Sequence, residues 1–189
     1  VIASKPSGEA YQDLGVVLQK SGRDSEAADA YDKAASLDSK NSSAWLNAGL
    51  LYAQAGADAK AIPALQKAVS LGTTHKYDAH LALAQCYHNT GDDANAIAEY
   101  STAAKVKPDE AMPVFNVAVL QQQTGQTADA EASYQKVLDL KPSDPNIVTA
   151  AQTNLGLLLA NDGKGEQSIP LLKEAAAKDP KSAAPHVAL

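Results

Sequence analysis

The chain contains one cysteine, one methionine, one phenylalanine and one tryptophan in 189 residues. With Cys86 as the single thiol, an intrachain disulfide and a paired-thiolate zinc site are both excluded. No run approaches the roughly 18 apolar residues that cross a bilayer, so no membrane insertion is expected. Residues 1 to 8 also lack the basic stretch and apolar core of a secretion leader. Lysine and arginine number 16 against 22 acids, giving a net charge of -6, and they are scattered singly. Nucleic acid and anionic membrane need clustered cations, so neither is expected as a partner. The composition fits a cytoplasmic protein and a bacterial periplasmic or secreted one equally.

The usual marks of catalysis are missing too. His75, His80, His88 and His186 show no i, i+4 pairing and no zinc-protease motif, so no metal site is expected. There is no phosphate-cradling glycine loop and no nucleophile elbow. The chain is therefore expected not to be an enzyme, and no cofactor is expected. Cys86, beside Tyr87, is expected to be a buried small hydrophobe.

What is present is a period. Five times a small residue is followed twelve positions later by another: Gly15/Ala27, Gly49/Ala61, Ala84/Ala96, Ala118/Ala130 and Gly156/Ser168. Successive first members lie 34, 35, 34 and 38 residues apart, and a glycine falls seven residues after each, at 22, 56, 91, 125 and 163. Such a period signals a stack of like structural units, each burying its apolar face on its neighbours.

Around the first member the chain reads YQDLGVVL, WLNAGLLY, HLALAQCY, VFNVAVLQ and QTNLGLLL, with bulky positions three and four apart. That is one face of an α-helix. The segments from Ala27, Ala61, Ala96, Ala130 and Ser168 repeat small residues seven apart with a Tyr or Leu between, which gives a second helix. A glycine stops the first helix, and the short turn makes the two antiparallel neighbours. Pro108, Pro142 and Pro180 end the second helix, with Ser39 and Thr73 at that place in the first two repeats. Pro63 and Pro170 fall at or just past the first turn, where proline costs little. Six tyrosines, at 11, 31, 52, 87, 100 and 134, take the recurring large positions and are expected to fill core.

The pattern resembles the tetratricopeptide repeat, whose signature is matched by Trp45, Ala48, Gly49, Tyr52, Ala61 and Leu65. The resemblance implies an all-α fold, an α-solenoid of antiparallel helix pairs wound as a right-handed superhelix. It places a lead-in at 1–7 and repeats at 8–41, 42–75, 77–110, 111–144 and 149–182. Residues 183–189 parallel the start of the fourth repeat and are expected to begin a sixth, cut short. Four extra residues precede the fifth repeat, where Asp144-Pro145 suits an N-cap and first turn. They predict one additional turn on that repeat's first helix.

In the family the first helices line a concave face. Transferred by position, the candidate peptide-groove residues are Val16, Leu46, Asn47, Leu50, Leu81, Gln85, His88, Met112, Phe115, Asn116, Val119, Gln122, Asn154 and Leu157. Phe115 and Met112 are the chain's only Phe and Met, and Phe115 is weighed evenly between ligand contact and packing between helices. Asn47, Asn116 and Asn154 share one repeat position and could bond a ligand backbone or bridge helices. The family's clamp for acidic chaperone C-termini falls on Gln12, Val16, Asn47, Asp78 and Ala82; only Asn47 fits, so that ligand is not expected. The expected function is a non-catalytic scaffold or adaptor that binds a protein or peptide segment in its groove. Two alternatives are a substrate-recruiting arm of a larger multidomain enzyme and a homo-oligomer assembled through an uncapped C-terminal end.

Overall fold

The structure is a computed structural model that describes residues 6–178. Among them are ten helices and no strand: α1 (Gly8–Lys20), α2 (Asp24–Leu37), α3 (Ser42–Gln54), α4 (Asp58–Ser70), α5 (Lys76–Asn89), α6 (Asp93–Val106), α7 (Ala111–Gln123), α8 (Thr127–Asp139), α9 (Pro145–Asn161) and α10 (Gly165–Lys178). The chain forms two compact units, Val1–Glu99 and Tyr100–Leu189. Helix pairs α1/α2 and α3/α4 pack in the first unit, α7/α8 and α9/α10 in the second. The proposed sixth repeat and most of the lead-in lie outside the described residues.

Each pair turns within three residues, and the stop is chemical. At the end of α1 the Arg23 N–H reaches the Leu18 carbonyl at 2.9 Å and the Gly22 N–H reaches Gln19 at 3.0 Å. This double closure needs a left-handed residue, and Gly22 supplies φ 71°. The same backbone sign recurs at Gly56, Gly91, Gly125 and Gly163. A sixth such glycine, Gly72 at φ 78°, closes α4 instead of a proline and leads into the buried Thr73. That turn absorbs the one extra residue of the third repeat.

The small pairs mark where paired helices touch. A Cβ on Gly49 would stand 2.6 Å from Leu65 Cγ, and one on Gly156 would stand 2.7 Å from Leu172 Cγ. Ala27, Ala61, Ala84, Ala96, Ala118 and Ala130 are wholly buried. Ser168 is the second member of the fifth pair, and its hydroxyl donates to the Gly156 carbonyl at 2.8 Å.

The first unit buries Leu18, Tyr31, Leu51, Tyr52, Leu65 and Leu83 in one cluster; the second buries Val114, Tyr134, Val137, Leu155 and Leu159 in another. Each large side chain removed from water contributes about 1.5–3 kcal/mol. Tyr31, Tyr52, Tyr100 and Tyr134 are buried, whereas Tyr11 and Tyr87 remain half-buried. Helix α9 has 17 residues against 13 in α7, with the Asp144 carboxylate accepting from Asn146 N–H at 2.9 Å and Pro145 in the first turn. The four inserted residues are thus the predicted extra turn. Pro63 and Pro170 are each the sixth residue of their helix, one turn deeper than the cheapest site, and both helices continue through them.

Candidate functional site

The candidate groove residues fall on α1, α3 and α5 in the first unit and on α7 and α9 in the second. Within the first unit Val16, Gln85 and His88 are exposed, Asn47, Leu50 and Leu81 are half-buried, and Leu46 is 4% exposed. Leu46 sits in the first core cluster and offers almost no surface. Within the second unit Met112 is 52% exposed and Gln122 is exposed, while Phe115, Asn116, Val119, Asn154 and Leu157 are half-buried. The Phe115 ring meets Tyr134 edge-on, centroids 5.9 Å apart at 63°, and packs on the second core. It contributes to the core and still keeps part of its surface in solvent.

Two of the three asparagines, Asn154 and Asn47, bridge helices. Asn154 Nδ2 on α9 donates to the Tyr134 hydroxyl on α8 at 3.1 Å, and that hydroxyl donates to Gln122 Oε1 on α7 at 2.7 Å. In the first unit the Tyr31 hydroxyl on α2 donates to Gln19 Oε1 on α1 at 3.3 Å and bonds Asn47 on α3. Burial pushes both phenols up, and the asparagine bond pulls the other way. A Gln, Tyr and Asn from three successive helices therefore meet at one hydroxyl in each unit. The tyrosines are more than core filler, because a buried ring would leave its hydroxyl unsatisfied without these partners.

This triad is visible along the sequence once its register is known. Between the second and third repeats the same positions hold Ala53, Leu65 and Ala82, all apolar and all in the first cluster. The fifth repeat again pairs Ala160 with Leu172. At Tyr31 and Tyr134 the neighbouring positions carry amides, at Leu65 and Leu172 they are alanine, and at Tyr100 they hold His88 and Asn116.

Other polar groups are similarly tied. His80 Nδ1 pairs with Glu99, and His88 Nδ1 lies 2.9 Å from Asp93 Oδ1. Gln152, in the position Trp45 fills in the second repeat, is buried, donates to Glu174 at 2.6 Å and accepts from Lys178 at 3.1 Å. Lys164 bonds both Glu131 carboxylate oxygens. Cys86 is 1% exposed, and burial, followed by the nearby Asp58 carboxylate, pushes its thiol up to about 12. At neutral pH it is not a nucleophile. Among the described residues no group of three or more His, Cys, Asp or Glu is placed to hold a metal ion. Among them also, no helix is long and apolar enough to cross a membrane.

Paired helices crossing on small residues, closed by left-handed glycines and repeated at a 34-residue spacing, define a helical-repeat protein. Two family models, both described as tetratricopeptide repeat, match residues 12–75, 94–145 and 118–183 in one case and 77–110 in the other. The chain belongs to the tetratricopeptide repeat family. No curated protein matches it in sequence. Among solved structures it is similar to YrrB, described as a TPR protein with an unusual peptide-binding site, at 20% identity and TM-score 0.80, covering 96% of this chain and 91% of that one. It is also similar to MamA, at 24% identity and TM-score 0.78 over 93% of both chains. A third likeness is the C-terminal part of a TPR repeat-containing protein from Cytophaga hutchinsonii, at 20% identity and TM-score 0.80, covering all of this chain and 76% of the other.

Proposed function

We propose that the protein is a non-catalytic interaction scaffold that holds a peptide segment against the exposed faces of its first helices. The observation that carries this reading is the half-used amide pair around Tyr134. Gln122 gives its Oε1 to the tyrosine and keeps its Nε2 donor; Asn154 gives its Nδ2 and keeps its Oδ1 acceptor. A peptide unit needs one donor for its carbonyl and one acceptor for its N–H, and these two groups supply them. Met112, Phe115, Val119 and Leu157 supply apolar surface on the same two helices, suited to side-chain anchors of an extended segment. Val16, Asn47, Leu50, Leu81, Gln85 and His88 would serve alike in the first unit, and Asn116 in the second.

The test is selection of binding peptides from a random linear library, followed by calorimetric titration. Gln122→Ala with Asn154→Ala is expected to weaken the selected peptides about tenfold or more, as loss of paired polar contacts does. Met112→Ala should weaken them with an unchanged melt. Peptides that bind the variants as well as the wild type would overturn the assignment.

A further inference from the structure

On the second-helix side of the first unit lies a pocket of about 340 Å³ between α2 and α4, floored by α3. Its walls include Asp29 and Asp32 from α2, Trp45 and Tyr52 from α3, and Lys60 and Pro63 from α4. We propose that this pocket binds an arginine side chain of a partner protein.

Two features point to a cation, and a third fixes the site's shape. The pocket carries two carboxylates against one ammonium, and among the described residues neither Asp29 nor Asp32 is in an ion pair. Two aromatic rings line it, and the chain's own Lys60 Nζ already stands 5.0 Å from the Tyr52 ring centroid, so the ring face accepts positive charge. The rings are also held in place. The Trp45 indole donates to the Ser39 carbonyl at 3.2 Å, and the Tyr52 hydroxyl donates to Asp29 at 3.3 Å.

Burial, with the charges of Asp32 and Asp29, raises the Tyr52 phenol to about 12, so at neutral pH it remains an uncharged donor. A planar guanidinium fits better than a second ammonium: it stacks on an indole, forks onto a carboxylate and sheds water more readily.

The scaffold alone does not produce this chemistry. The equivalent pocket of the second unit, about 230 Å³, has Ser101 where Asp32 stands, Val114 for Trp45 and Gln121 for Tyr52, and adds Lys105 and Lys136. It would repel the same ligand. The two pockets share a backbone plan and differ in charge and aromatic content.

Trp45 is the only tryptophan, so its emission reports on this pocket alone. The experiment titrates the full chain with N-acetyl-arginine amide, and with the neutral citrulline analogue as the control. A saturable emission change is expected with arginine and none with citrulline. Asp32→Asn should weaken it about two- to fivefold, and added salt should weaken it too, as for a partly exposed charge pair. Lys60→Ala should tighten it by removing the competing ammonium. Met112→Ala, on the first-helix face, should leave it unchanged, which separates this site from the peptide-binding reading. An equal response to citrulline, or an unaltered response in a normally folded Asp32→Asn protein, would overturn the proposal.

Discussion

Asn154 on α9 holds the Tyr134 hydroxyl on α8 at 3.1 Å. With Gln122 at 2.7 Å on the other side, one oxygen ties three successive helices of the second unit together. The bonds sit at the rim of an otherwise apolar contact, so they add direction to packing that burial alone would leave nonspecific.

Tyr134→Phe should therefore lower stability by about 0.5–1.5 kcal/mol, the net worth of an ordinary hydrogen bond, as read by chemical denaturation. The converse change, Leu65→Tyr, carries a hydroxyl to Ala53 and Ala82, which cannot answer it. It should cost more than the phenylalanine change does, and equal or greater stability would contradict the triad.

Gly156→Ala sets a methyl 2.7 Å from Leu172 Cγ, where something must shift. Overpacking of that kind costs about 1–3 kcal/mol, and the thermal midpoint should fall accordingly. Ala96→Leu, at a wholly buried position, should do at least as much. Gly22→Ala, by contrast, meets no atom within 4 Å, and its smaller loss comes from the φ of 71° alone.

Phe115→Ala removes a ring that rests on Tyr134 yet remains half-buried. The loss should be about 1–3 kcal/mol, below the range for a fully buried phenylalanine. Met112→Ala, at an exposed site, should leave the melt within about 0.5 kcal/mol. A melt unmoved by the first change would remove Phe115 from the core.

Alkali should destabilise the protein through two groups. The Cys86 thiol and the Tyr52 phenol are both pushed up to about 12 by burial, whereas in the unfolded chain they ionise near about 8.5 and 10. Above those values the unfolded state binds fewer protons than the folded one, so stability falls as pH rises from about 8.5 toward 12. Cys86→Ala should flatten the lower part of that decline in denaturant midpoints measured across pH. Thiol-reactive dye should label native Cys86 only as fast as the chain opens.

The helix order, the glycine stops and the small contact positions were legible in the sequence because each follows from a local rule repeated five times in phase. Gly72 was less so, since one glycine outside the period carries no register. From sequence alone Asn154 stands between ligand and helix partner, and Tyr134 shows only as filler. A hydroxyl's partners come from other helices, and no spacing within one repeat names them. Leu46 is buried in the first core cluster, because the face carried over from the family is broader than the surface that α3 leaves uncovered. The acidic aromatic pocket was invisible for the same reason: Asp29, Trp45 and Lys60 belong to three elements and no motif.

The lengthened α9 sets a rule for tolerated editing of this chain. Four residues advance a helix by about 400°, close to one full revolution, so the downstream apolar stripe still points inward. Two inserted residues would rotate it by about 200° and present leucines to water. Grafts and deletions in these helices should therefore succeed in steps of three or four residues and fail between them.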